Sequence, residues 1–131
     1  MAYVLLVDDD CDGSEAVATF LRRAGHRVDC VPNGHRAMAA LTSNKPDAVI
    51  LDVRMPKMDG IMLLEVMRSY LRWFEMPVVL LSAHITDEQA DRAREMGVRH
   101  ILHKTKTSLE ELGAAVDDVT KARDQGAGLP A

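Results

Sequence analysis

Short apolar runs recur along the chain at 3–8, 27–31, 47–52, 77–82 and 99–103. Between them lie longer stretches whose apolar residues return every three or four positions. The runs 47–52 (DAVILD) and 77–82 (PVVLLS) are almost continuously aliphatic, the pattern of strands covered on both faces. The intervening stretches read as helices. The first, near 14–24, places Val17, Phe20, Leu21 and Ala24 on one stripe and stops at Gly25. The second, from Asn33 to about Thr42, turns Ala37 and Leu41 inward, and the third, after Asp59, does so with Ile61, Leu64, Met67 and Leu71. The fourth opens on Thr86 with Gln89 and ends at Gly97. The fifth opens on Ser108 with Glu111 and carries Leu112, Val116 and Val119; both starts have capping-box spacing. This alternation predicts an α/β fold, a doubly wound five-stranded parallel sheet with five helices.

The chemistry sits where the strands end. The first run stops at Asp8-Asp9-Asp10, the third at Asp52, the fourth at Ser82, and the fifth leads into Lys104. Open α/β sheets place ligands at the carboxyl ends of their strands. If the first and third strands are neighbours, Asp8, Asp9 and Asp52 converge. Like charges so close raise one another's pKa and call for a hard cation, of which Mg²⁺ suits a few carboxylates, several waters and a phosphoryl oxygen. After Asp52, Pro56 holds off a helix and Asp59-Gly60 starts one.

The ordered set LLVDDD, LDVRMPKMDG, VVLLSA and GVRHILHK resembles the receiver domain of two-component response regulators, in particular the single-domain, chemotaxis-regulator-like members. The resemblance covers about residues 3–120. It implies a flavodoxin-like sheet of order 2-1-3-4-5 and a phosphoryl group accepted on Asp52 from a sensor histidine kinase or a histidine phosphotransfer protein. It further implies Mg²⁺ held by the side chains of Asp9 and Asp52 and the backbone carbonyl of Arg54, with Asp8 acting through a bound water. Ser82 and Lys104 would contact the phosphoryl oxygens, and phosphorylation would switch a surface for an output partner. As a signalling domain, the chain would catalyse only its own phosphotransfer and dephosphorylation. Three positions depart from the family pattern. Thr105 follows Lys104 in place of proline, the stretch before Leu112 looks one residue longer, and the aromatic switch position falls on Ile101. A trans Lys104–Thr105 bond is expected, because a cis bond before a residue other than proline costs about 2.5–4 kcal/mol.

Two other functions use the same residues. A receiver-like fold can act as a phosphorylation-independent interaction module. A haloacid-dehalogenase-like phosphatase would use Asp8 as nucleophile, Asp10 as acid, and Ser82 and Lys104 on the phosphate, but it needs a late acidic pair at a strand end. The only late pair, Asp117-Asp118, has helical surroundings. The stretch 8–13 also matches the start of a calcium loop, but its twelfth position is Thr19 rather than a glutamate.

Composition changes this picture little. With 131 residues, 47% of them hydrophobic, and a net charge of −4, the chain is of single-domain size and has no basic stripe for nucleic acid. Residues 1–122 are expected to form the receiver and 123–131 a flexible tail or the start of a linker. No run approaches the length of a membrane span, and no leader precedes the first strand, so a bacterial cytoplasmic location is expected. The chain is expected to be a monomer or a phosphorylation-dependent dimer. Cys11 and Cys30, the only cysteines, read as free thiols, with a redox role as the alternative. His26, His35, His100 and His103 have no metal-ligand spacing.

Overall fold

The computed structural model describes residues 1–55 and 57–127, except for the side chains of 122–127. Pro56 and positions 128–131, the end of the expected tail, lie outside the described residues. The strands are β1 (Tyr3–Val7), β2 (Arg27–Val31), β3 (Ala48–Leu51), β4 (Val78–Ser82) and β5 (His100–His103). The helices are α1 (Glu15–Arg23), α2 (Gly34–Ser43), α3 (Gly60–Arg68), α4 (Asp87–Glu95) and α5 (Leu109–Ala127). All strand pairings are parallel, as the alternation of elements predicts, and run in the order β2-β1-β3-β4-β5, the order that the resemblance implies.

Side chains alternate across each strand, so neighbouring residues feed two different cores. Leu5, Val7, Val49, Leu51, Val78 and Leu80 face α2, α3 and α4, where they meet Ala37, Leu41, Leu63, Leu64, Met67 and Ala93. Val4, Leu6, Ala48, Ile50, Val79 and Leu81 face α1 and α5, against Ala18, Leu21, Leu112, Ala115, Val116 and Val119. Each buried Val, Leu, Ile or Met among them contributes about 1.5–3 kcal/mol of burial. Two-sided burial is why β3 and β4 read as unbroken apolar runs.

The helix ends follow their local chemistry. Gly25 and Gly97 follow α1 and α4 with φ of 100° and 87°, left-handed values that a Cβ would disfavour. Thr86 and Gln89 form a complete capping box at α4. At α5 the Ser108 hydroxyl accepts the Glu111 N–H at 3.0 Å and donates to the Glu111 carboxylate at 3.3 Å. The Lys104–Thr105 bond is trans, since the described residues contain no cis bond.

Two inward-facing expectations and one element boundary require correction. Leu71 is 89% exposed, because α3 ends at Arg68 and a turn carries the chain away from the helical stripe. Trp73, only 4% exposed, fills the core there instead. Ala24 is exposed, because it is the C-cap of α1, while Ala18 takes the inward place. At the other end of the chain, α5 continues to Ala127, through 123–127, where the sequence shows no helical pattern.

Candidate functional site

Sheet register brings the strand ends together. Val7 pairs with Leu51 and the Asp52 N–H donates to the Val7 carbonyl at 3.0 Å, so Asp8 and Asp52 leave adjacent strands side by side. Ser82 ends β4 opposite His103, and the Lys104 N–H donates to the Ser82 carbonyl at 3.0 Å, which sets the lysine over the same edge. The turn between β3 and α3 must pass very close to Asp52. A Cβ on Gly60 would stand 2.3 Å from the Asp52 carbonyl oxygen and 2.9 Å from the Val53 Cα, so only glycine fits. Lys57, in the same turn, takes a left-handed φ of 70°. The Asp59 carboxylate then caps α3 by accepting the Met62 N–H at 2.9 Å.

Asp52 is 6% exposed and fully engaged. Its Oδ1 accepts the Arg54 N–H at 3.1 Å and the Ser82 hydroxyl at 3.1 Å, and its Oδ2 accepts Lys104 Nζ at 3.0 Å. Asp8, 1% exposed, shares that lysine. Its Oδ2 lies 2.5 Å from Lys104 Nζ and accepts the Ser14 hydroxyl at 2.8 Å, and its Oδ1 accepts the Asp10 N–H at 2.9 Å. Burial favours the protonated form of Asp8, but the Lys104 ammonium, the Asp10 N–H and the Ser14 hydroxyl outweigh it and hold the pKa below the usual aspartate value. For Lys104, burial opposes the charge, and the two carboxylates more than restore it, raising its pKa. Asp9 stands exposed at the rim. Partial desolvation, then the charges of Asp8 and Asp52, push its carboxyl above the ordinary value.

Carboxylate oxygens of Asp8, Asp9 and Asp52 lie within 4.8 Å of one another. An all-oxygen, multiply charged donor set fits a hard cation such as Mg²⁺. An open pocket beside it is lined by Asp9, Asp52, Arg54, Met55, Asp59 and Gln89. Asp10 is turned elsewhere, accepting the Gly13 N–H at 2.9 Å.

The structure thus brings Asp8, Asp9, Asp52, Ser82 and Lys104 to one place. A role for Ser14 went unread in the sequence. It occupies the N-cap position of α1 but makes no capping bond with its side chain, because its hydroxyl is drawn to Asp8. Asp117 and Asp118 lie on α5 and pair with His26 at 3.3 Å and His100 at 2.8 Å, so they cannot supply the late acidic pair of a phosphatase.

Residues 4–117 match the family model described as the response regulator receiver domain. The chain belongs to this family. Among curated relatives, the receiver is 33% identical over 120 residues to the transcriptional regulatory protein PrrA of Mycobacterium tuberculosis, covering 92% of this chain and 50% of that protein. It is 38% identical over 103 residues to the transcriptional regulatory protein GltR of Pseudomonas aeruginosa, covering 77% and 42%. The chain therefore spans half or less of the length of these two relatives. Among solved structures, the Francisella response regulator 1452 receiver domain superposes with a TM-score of 0.84 at 28% identity, covering 94% of this chain and 99% of that one. Chemotaxis protein CheY4 of Vibrio cholerae gives a TM-score of 0.82 at 28% identity, covering 91% and 98%. Phosphorylation on an aspartate is the function of this family, and the acidic pocket fits it.

The cysteines require a correction. Cys11 and Cys30 are joined in a disulfide with their Cα atoms 6.0 Å apart, so neither is a free thiol. Spacing along the chain could not reveal this. The bond depends on β2 lying beside β1, which sets Cys30 opposite Leu6 and below the loop that carries Cys11.

Proposed function

We propose that the receiver accepts a phosphoryl group on Asp52 from a phosphohistidine, on a sensor histidine kinase or a histidine phosphotransfer protein, in a Mg²⁺-dependent reaction. The observation that carries this reading is the pairing of one buried carboxylate with two partners of different kinds. A hydroxyl holds one Asp52 oxygen and an ammonium the other, beside two further carboxylates. A carboxylate oxygen of Asp52 attacks phosphorus, the P–N bond breaks, and the donor imidazole leaves with the electron pair. Lys104 and Ser82, already within reach of Asp52, move their hydrogen bonds to the phosphoryl oxygens. Asp9, Asp52 and the Arg54 backbone carbonyl would hold Mg²⁺, with Asp8 acting through a water. When bound, the metal supplies positive charge to the transferring phosphoryl group.

The switch begins at Ser82. Its single hydroxyl hydrogen is shared between Asp52 Oδ1 at 3.1 Å and the His84 carbonyl at 3.0 Å, so a rotation toward the phosphoryl group releases the loop leading to α4. This bistable contact would change a surface offered to an output partner. The domain catalyses only its own phosphotransfer and dephosphorylation, and it would operate in the bacterial cytoplasm as a monomer or a phosphorylation-dependent dimer. The receiver takes in residues 1–122, and α5 runs on to Ala127, into the segment read from the sequence as a tail or linker. Among the described residues no helix is long and apolar enough to cross a membrane, and the sequence offers no nucleic-acid surface.

Acetyl phosphate with Mg²⁺ should label Asp52, located by mass spectrometry after borohydride trapping. Asp52→Asn should remove the label, and retention of wild-type labelling would overturn the assignment. Mg²⁺ should raise the melting temperature by binding only the folded state, less so in Asp52→Asn. Asp9→Ala should weaken Mg²⁺ binding far more than Asp10→Ala.

A further inference from the structure

The disulfide lies next to the acidic site. Cys11 follows Asp8, Asp9 and Asp10 in the turn that enters α1, and Cys30 lies on β2, the edge strand of the sheet. Cys30 shares a strand face with buried Val28 and packs against the core formed with α1 and α5, so its side chain points to the side on which α1 begins. A Cα separation of 6.0 Å lies within the range for a disulfide. Both cysteines are only half-buried, which leaves them within reach of small thiols and disulfides. In a reducing compartment, a reachable disulfide is a transient or sensing one rather than a permanent staple.

We propose that Cys11 and Cys30 form a reversible thiol–disulfide exchange site that sets the cation affinity of the Asp8–Asp9–Asp52 cluster; the coupling rests on the metal-dependent reading above. The bridge ties the turn after the aspartates to β2. Asp8 is already fixed by Ser14, Lys104 and the Asp10 N–H. Asp9 is exposed, and its placement depends on the backbone between Asp8 and Cys11. With the bridge in place, the three carboxylates stand within 4.8 Å of one another. Reduction releases the Cys11 end and lets Asp9 drift from the other two. In the chemical step, one cysteine sulfur attacks a low-molecular-weight disulfide such as glutathione disulfide, expelling one glutathione thiolate. The second cysteine then attacks the mixed disulfide and expels another. The protein loses two electrons and two protons, and glutathione disulfide is reduced to two glutathiones.

The test uses the full chain, oxidised with glutathione disulfide or reduced with a phosphine. The oxidised sample should yield a peptide linking Cys11 to Cys30, and alkylation after reduction should mark both thiols. By calorimetry, reduction should weaken Mg²⁺ binding by about tenfold, the scale of losing support behind a metal ligand. Cys30→Ser should bind like the reduced protein under both conditions, and the wild-type redox pair carries the test if that variant fails to fold. Free, alkylatable thiols under oxidising conditions would overturn the proposal. So would a linked peptide with equal Mg²⁺ affinity in the two states. Labelling of Asp52 by acetyl phosphate is measured alongside. If labelling persists while affinity ignores redox state, the coupling alone falls. If neither state binds Mg²⁺ or takes the label, both the coupling and the receiver function fall.

Discussion

At the carboxyl ends of β1 and β3 the chain buries two charges, Asp8 and Asp52, whereas at the amino ends the turn leading into β4 buries Trp73 and Met76. The amino edge is held by packing. Tyr70 tilts against Trp73 with ring centroids 5.1 Å apart, and Arg68 closes the turn through the Met96 carbonyl at 2.8 Å and the Trp73 carbonyl at 3.2 Å. Burial pushes the Arg68 pKa down, yet its role there is to satisfy backbone. The only buried side-chain polar atom without a partner among the described residues, Trp73 Nε1, is at this end. At the carboxyl edge the buried polar side chains are all engaged, by one another. Lys104 serves two carboxylates and Ser82 serves a carboxylate and a carbonyl. A rearrangement there exchanges one set of partners for another, while the amino edge can only pack or come apart.

Truncation at the amino edge should therefore cost stability and spare the chemistry. Trp73→Ala is expected to lose about 3–5 kcal/mol in denaturant unfolding, with labelling of Asp52 per folded molecule unchanged. Impaired labelling with unchanged stability would erase the distinction between the edges.

Gly60→Ala tests the one turn where packing and chemistry share atoms. Its Cβ would meet backbone at Asp52 and Val53, so it should cost about 1–3 kcal/mol and also reduce labelling. A fully labelled variant of wild-type stability would show that the close approach is dispensable.

Lys104→Met leaves Asp8 and Asp52 facing each other without their cation and should lower stability by about 1–3 kcal/mol at neutral pH. Mg²⁺ should restore more stability to this variant than it adds to the wild type. Melting curves against pH give the signs. The lowered Asp8 pKa means its stabilisation is present above the unfolded-state value and is lost as pH falls through the folded one. The raised Lys104 pKa means its stabilisation is present below the unfolded-state value and is lost as pH rises through the folded one. Asp9, with its pKa raised, acts oppositely to Asp8 and disfavours folding once ionised. Loss of the alkaline limb in Lys104→Met, with the wild-type limb present, is the expected result.

The smallest effect belongs to Thr86→Ala, which removes the α4 cap near the site without touching it. About 1 kcal/mol of stability should go and labelling should stay. A labelling defect would mean that the α4 end takes part in the chemistry.

Much of this was legible along the chain because it is local. Alternation and helical spacing depend on residues a few positions apart, and they gave all five strands and five helices within a few residues, with Gly25, Gly97 and Thr86 marking their ends. The strand-end residues Asp8, Asp52, Ser82 and Lys104 were readable for the same reason. Leu71 misled because the spacing continued past the point where α3 stopped.

Tertiary structure decided what depends on lateral neighbours. The order β2-β1-β3-β4-β5 places β1 between β2 and β3, so one strand end meets Asp52 on one side and the other side lies against the strand of Cys30. The lysine bridging Asp8 and Asp52 comes from 96 and 52 positions away respectively. The Cys11–Cys30 bond likewise exists only once β2 lies beside β1. A one-dimensional pattern records which face a residue takes, because that follows from backbone geometry. Which residues meet across strands follows from sheet order and register, which are set by burying both faces of the sheet at once.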